Sequence, residues 1–216
     1  MMLGDILGII NLYFDFFNYS FLLYIMIELV FATNNAHKLE EVQAIVGDRF
    51  ILKSLADIDC KDDIPETGVT FKENAQQKTD YLVNKYGLYC FGDDSGLEID
   101  ALNGEPGVYS ARYSGSRDMA KNIDLVLTQL GDSTNRAARF KTVISLYINE
   151  KQLFFEGSIE GTIIQARRGT DGFGYDPIFI PNGQERTFAE MSAPEKNAIS
   201  HRAIAVTKMA AYLKGL

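Results

Sequence analysis

The residues best placed to do chemistry in this chain are Asp93 and Asp94, adjacent carboxylates within FGDDSGLEIDAL at residues 91–102. An apolar run ending at Phe91 and an alternating run over residues 97–102 read as strands, with Gly92, Asp93, Asp94, Ser95 and Gly96 between them. Side chains alternate along extended backbone, so the two carboxylates are expected on opposite sides, one facing a pocket and the other facing supporting structure. A carboxylate in a pocket can hold a divalent cation or take a proton from water. An acidic turn is the local alternative, because Asp, Ser and Gly favour turns on their own account.

Opposite charge comes from lysines on neighbouring elements. Residues 28–33, ELVFAT, read as a strand feeding a helix whose Leu39, Val42, Ile45 and Val46 share one face and which Gly47 ends. The link between them is Asn34, Asn35, Ala36, His37 and Lys38. Such a link aims free backbone N–H groups and the positive end of a helix dipole at one spot, which suits phosphate, and Lys38 adds a point charge. It lacks the glycines and the Gly-Lys-Ser/Thr ending of a P-loop, and an ordinary N-cap by Asn34 or Asn35 explains the same residues. Residues 64–68, IPETG, form a turn carrying Glu66, and Thr70 with Glu73 reads as a capping box opening a helix that runs to Gly87. Phe71, Ala75, Lys78 and Leu82 share its inward face. Lys78 either snorkels to solvent or reaches the pocket of Asp94 to meet an anion.

Residues 104–115, a Gly-, Ser- and Tyr-rich loop with Arg112, either fold over a ligand or connect two lobes. Residues 118–130 read as an amphipathic helix stopped by Gly131, and residues 140–148 and 153–164 as long strands joined in a hairpin, the sheet of a second lobe. In residues 169–181, Gly172 and Gly174 flank Phe173, and Tyr175 and Asp176 follow. Phe173 can stack on a purine while Asp176 accepts from a ring N–H; a glycine turn with a buried aromatic is the alternative. A final helix opens through Ser192 and Glu195, with Lys196, Ile199, Ala203, Val206, Ala210 and Leu213 inward and Ser200, His201 and Arg202 as a donor-rich cluster. Adjacent Ser and His on one helix diverge, so no Ser-His-Asp hydrolase is implied.

Bulk properties narrow the classes. With 216 residues and 46% hydrophobic composition, the chain suits one sizeable domain or two tight lobes. A formal charge of −8 argues against a nucleic-acid surface, which needs a dense Lys/Arg stripe. Cys60 and Cys90 have neither metal nor redox spacing and read as core thiols in a reducing cytoplasm. Residues 1–25 are apolar without Lys or Arg, so the basic start of a signal peptide is missing, and their longest uncharged run is too short to span a bilayer. An extension packed on the domain, a membrane-surface segment and sequence upstream of the true start all fit; the last fits best, because Met26 directly precedes the first strand. A chain beginning at Met26 is expected to fold and work alone.

Five ordered motifs, TNNAHK, PETG, DDSGL, FGYDP and EKNAISHR, resemble those of the Ham1-like family of inosine/xanthosine triphosphate pyrophosphatases, from about Met26 to the C-terminus. One departure is Asn34, where the family usually has Gly; a side chain there is expected to narrow the phosphate loop. The resemblance implies an α/β fold, a mixed elongated sheet forming two lobes with flanking helices and a central nucleotide-binding cleft. It implies Mg²⁺-dependent hydrolysis of non-standard purine nucleoside triphosphates (ITP, dITP, XTP) to monophosphate and pyrophosphate. It makes Asp94 the general base and a metal ligand with Glu66, and Ser95 a substrate contact. Thr33, Asn34, Asn35, Ala36, His37 and Lys38, with Lys78 and Lys196, would hold the triphosphate and neighbouring groups. Phe173, Gly174, Tyr175 and Asp176 with His201 and Arg202 would read the base. A cytoplasmic homodimer is implied, without nucleic-acid or membrane partners. The rival readings are a Maf-like pyrophosphatase of pyrimidine or modified nucleotides and a non-catalytic nucleotide-binding module.

Overall fold

Apolar runs and polar punctuation build one mixed sheet with helices on both faces. The computed structural model describes residues 27–47 and 50–216; the expected extension at residues 1–25 and the start at Met26 lie outside the described residues. In chain order the main elements are β1 (Ile27–Phe31), α1 (Ala36–Val46), β2 (Phe50–Lys53), α2 (Phe71–Tyr86), β3 (Cys90–Ile99) and α3 (Met119–Leu130). Then come β4 (Ala137–Ile148), β5 (Lys151–Ile163), β6 (Phe179–Pro181), α4 (Ala193–Ile199) and α5 (His201–Lys214). The strand order is β2-β1-β3-β4-β5-β6, parallel among β2, β1 and β3 and antiparallel from β3 onward.

Local signals account for most boundaries. Asn35 caps α1 through its side chain, Thr70 caps α2, Asp118 caps α3, and Gly47, Gly87 and Gly131 end those helices. The inward stripe of α2 is as expected, with Phe71, Ala75, Lys78 and Leu82 all buried. The capping box is only half formed: the Thr70 hydroxyl accepts from the Glu73 amide, but the Glu73 carboxylate takes the N–H of Val69. Asn149 and Glu150, both at positive φ, make the two-residue turn of the β4–β5 hairpin.

Three expectations need correction. β3 is one continuous strand through Gly92–Gly96, not two strands around a turn, because all ten of its residues pair in register with β4 and that ladder overrides weak local strand preference. β4 and β5 do not form a separate sheet; they run the length of the same sheet and span both lobes. The final helix is two helices, because Ser200 has extended backbone (φ −68°, ψ 154°) and its hydroxyl caps α5 by accepting from the Ala203 amide.

The lobes are the two ends of this long sheet. At one end Leu29, Phe31, Phe91 and Leu146 pack under α1 and α5 with Val206 and Met209. At the other Leu97, Ile99, Val126, Phe179 and Phe188 pack under α3. Among the described residues no helix is long and apolar enough to cross a membrane.

Candidate active site

The site exists because β1 is short. β1 pairs with β3 only at Cys90 and Phe91, so from Gly92 onward that edge of β3 has no strand beside it. Side chains and loops supply the missing partners: Lys78 Nζ donates to the Asp93 carbonyl (2.8 Å), and the Leu97 amide donates to Ser110 Oγ (2.9 Å). A cleft of about 870 Å³ opens there, a size suited to a nucleotide.

Alternation along β3 separates the two carboxylates as expected. Asp94 faces α2, flanked on its own face by Gly92 and Gly96. A Cβ on Gly92 would meet the Lys78 Cβ at 2.7 Å, and one on Gly96 would meet the Gly107 carbonyl oxygen at 2.4 Å. These glycines let α2 and the segment 107–112 close on Asp94. Its oxygens accept from Asn74 Nδ2 (2.9 Å) and the Ser95 amide (3.0 Å). Burial pushes its carboxyl up to about 6, against the pull of Lys78 and Asn74. Glu66 pairs with Lys78 through one oxygen and with Arg112 through the other (3.7 Å). Burial works against both charges of the Glu66–Lys78 pair, yet Lys78 holds Glu66 below its ordinary value, and Glu66, Asp93 and Asp94 raise Lys78 above its own.

Asp93 faces α1 and α5. Its carboxylate binds Lys38 Nζ (2.7 Å), Arg202 Nε (3.4 Å) and the Ser95 hydroxyl (3.0 Å). Burial alone would raise its pKa, but Lys38, Arg202 and Lys78 hold it far below the usual carboxylate range. Arg202, 2% exposed, also pairs with Glu41, whose other oxygen lies 3.3 Å from Lys196 Nζ. Lys196 donates to Asp176 (2.8 Å) and lies 4.6 Å from the Phe173 ring centroid. Burial raises the Asp176 pKa despite that lysine.

At the Phe173 turn, Gly172 sits at φ +75°, and the Phe173 amide donates to Asp176 (2.8 Å). The Tyr175 hydroxyl donates to the Ser110 carbonyl (2.9 Å), tying this turn to the segment that carries Arg112. His201 is buried and stacked on Phe140 (4.8 Å), and its Nδ1 has no partner among the described residues. Burial first, then Arg202 and Lys196, keep its pKa well below the ordinary value, so the imidazole is neutral.

In the strand-to-helix link, Thr33, Asn34, Asn35 and Lys38 line the cleft. Asn34 turns its Oδ1 to the Ala56 amide (3.0 Å), bracing the link against the chain after β2. Ala36 and His37 are outside the lining; His37 stacks on Phe173 at 5.9 Å. All the other expected site residues line the one cleft: Glu66, Lys78, Asp94, Ser95, Phe173, Gly174, Tyr175, Asp176, Lys196, His201 and Arg202. Sequence reading missed Glu41 and Asn74. Asn74 lies one turn before Lys78 on the same helix face, a signal that was available, and Glu41 lies one turn after Lys38 on α1.

Among the described residues no three His, Cys, Asp or Glu side chains cluster as a complete metal cage. Glu66 and Asp94 are nevertheless a suitable pair for Mg²⁺, which commonly takes one or two carboxylates and completes its shell with water and substrate phosphate.

Comparisons with known proteins find relatives over most of the chain. A dITP/XTP pyrophosphatase of Christiangramia forsetii is 51% identical over 187 residues, covering 86% of this chain and 98% of that protein. One from Porphyromonas gingivalis is 47% identical over 190 residues, covering 87% and 98%. The structure of a HAM1 protein from Coxiella burnetii matches with a TM-score of 0.82 at 40% identity, covering 88% of this chain and all (100%) of that one. The profile of the Ham1 family matches residues 29–212. The chain belongs to the Ham1 family.

Proposed function

We infer that this protein is a pyrophosphate-releasing hydrolase of non-standard purine nucleoside triphosphates, ITP, dITP and XTP, and that it removes them from the nucleotide pool. The observation that carries the chemistry is Asp94: a carboxylate with its pKa near 6, held by two hydrogen bonds at the floor of a cleft beside Lys78. Such a group takes a proton from water near neutral pH. Asp94 orients the water that attacks the α-phosphorus. Lys38, Lys78 and the N-terminal end of α1 bind the phosphates. Glu66 and Asp94 would hold Mg²⁺, which when bound would supply positive charge against the departing pyrophosphate.

Base choice rests on Phe173, Asp176, His201 and Arg202. Hypoxanthine and xanthine present an N–H at ring position one and a carbonyl at position six, whereas adenine presents an acceptor and an amino group. Phe173 offers a stacking face and Asp176 an acceptor. Arg202 is engaged by Asp93 and Glu41, and His201 beside it lines the cleft, so one of these two donates to the base carbonyl. Adenine would leave such groups unpaired, which can discriminate by about 10⁴ or more.

The catalytic domain in this reading is residues 26–216, working as a cytoplasmic homodimer. The test is pyrophosphate release from ITP, XTP, ATP, GTP and dTTP, each with and without Mg²⁺. Metal-dependent release confined to ITP and XTP supports the reading. Release mainly from dTTP favours a Maf-like activity, and none from any substrate favours a binding module.

A further inference from the structure

We propose that Lys78 is a guard on the cation site, making metal binding conditional on nucleotide. The proposal rests on the assignment of Glu66 and Asp94 as the pair that holds the cation. In the protein alone, both Glu66 oxygens already face cations, Lys78 on one side and Arg112 on the other, and Arg112 also reaches the Glu66 carbonyl (3.4 Å). Lys78 is 8% exposed, and its Nζ is fixed a second time by the Asp93 carbonyl. A divalent cation approaching the half-buried Glu66 therefore meets an ammonium in the position it needs, and like charges at that separation repel.

Three other cations of the cleft are committed too, Lys38 to Asp93, Arg202 to Asp93 and Glu41, and Lys196 to Asp176 and Glu41, while Arg117, also in the lining, pairs with neither Glu66 nor Asp94. The added negative charge that can draw Lys78 away is the triphosphate itself. Once Lys78 turns to a phosphate oxygen, Glu66 is released to the metal. Metal and nucleotide thus bind with positive coupling, and the coupling is reciprocal. Lys78 acts here as a positioning residue for Glu66, in addition to any contact with phosphate.

The experiment measures Mn²⁺ binding to the full chain without nucleotide, by electron paramagnetic resonance of free Mn²⁺. Wild type, Lys78→Met, Lys78→Arg and the double variant Lys78→Met/Glu66→Gln are compared, with folding checked by circular dichroism. Lys78→Met is expected to bind Mn²⁺ about tenfold or more tightly than wild type, in the usual range of coupling, while Lys78→Arg stays weak. A methylene-bridged ITP analogue, uncleavable between the α- and β-phosphates, should tighten Mn²⁺ binding to wild type beyond its binding to the analogue alone. Equal Mn²⁺ affinity in wild type and Lys78→Met overturns the guard while leaving the cation site standing. A gain in Lys78→Met that survives Glu66→Gln overturns both, because the metal then sits elsewhere.

Discussion

Asp93 and Asp94 share a peptide bond yet titrate in opposite directions: Asp93 is held far below the usual carboxylate range, and Asp94 is pushed up to about 6. Both are buried. Asp93 is surrounded by Lys38 and Arg202 and is the fixed counter-charge of α1 and α5. Asp94, with Lys78 shared with Glu66, keeps the poise of a base. Strand alternation gives the two neighbouring carboxylates these opposite surroundings.

For Asp94, kcat/KM for ITP is expected to fall about tenfold per pH unit below pH 6, because the free enzyme must hold the base deprotonated. The corresponding limb in kcat should lie at lower pH, since a bound cation favours the carboxylate. Asp94→Asn is expected to lose a factor on the order of 10² or more in rate with binding largely kept. An unchanged rate would reject the assigned base.

The same shift makes a stability prediction of defined sign. The folded pKa of Asp94 lies above its unfolded value near 4, so stability falls as pH rises from about 4 to about 6. Asp94→Asn should therefore be more stable than wild type at pH 8, by on the order of 1 kcal/mol, and the difference should vanish at pH 4. Urea unfolding at both pH values measures it.

Asp93 behaves in the reverse sense. Its depressed pKa contributes stability above its unfolded value, lost as pH falls below about 4. Asp93→Asn leaves the half-buried Lys38 without a counter-charge and the buried Arg202 with Glu41 alone, and should cost about 3 kcal/mol at pH 7. Urea unfolding that finds Asp93→Asn as stable as wild type at pH 7 would remove it from the scaffold.

Gly157 on β5 bears on base selection without touching the base. A Cβ there would lie 2.0 Å from the His201 carbonyl oxygen and 2.7 Å from the Ala205 amide nitrogen, so only glycine lets the first turn of α5 sit against the sheet. Gly157→Ala should displace His201 and lower the ITP-to-ATP ratio of kcat/KM about tenfold or more. An intact ratio in a folded variant would separate α5 placement from selectivity.

Asn34→Gly, which installs the residue usual in the family, removes the bond to Ala56. It is expected to cost about 1 kcal/mol of stability and to raise the KM for ITP with kcat retained, as the phosphate link loosens. A lower KM would mean that the Asn34 side chain narrows the link.

Much of this was legible in the residues. The helix caps, the inward stripe of α2 with Lys78, and the opposed faces of Asp93 and Asp94 follow from short-range periodicity and capping chemistry. What sequence could not supply was long-range. Gly92–Gly96 look like a turn until β4 pairs with every residue of β3. The apolar spacing runs unbroken from Lys196 to Leu213, and the break at Ser200 is set by a single hydroxyl bond to the Ala203 amide. Glu41 is one of two adjacent glutamates on α1, and only the approach of α4 and α5 selects it over Glu40 as the partner of Lys196 and Arg202.

The early end of β1 also decides what in the cleft can move. Asp94 rides on backbone paired along its whole length with β4, so its amide should exchange with solvent only on the timescale of global unfolding, whereas the Ser95 amide, on the open edge and held by the Asp94 carboxylate, should exchange sooner. The segment 104–115 and the Phe173 turn lack such a ladder and are linked to each other by Tyr175 and Ser110. A displacement of either segment is therefore expected to carry the other with it, past a strand that keeps still.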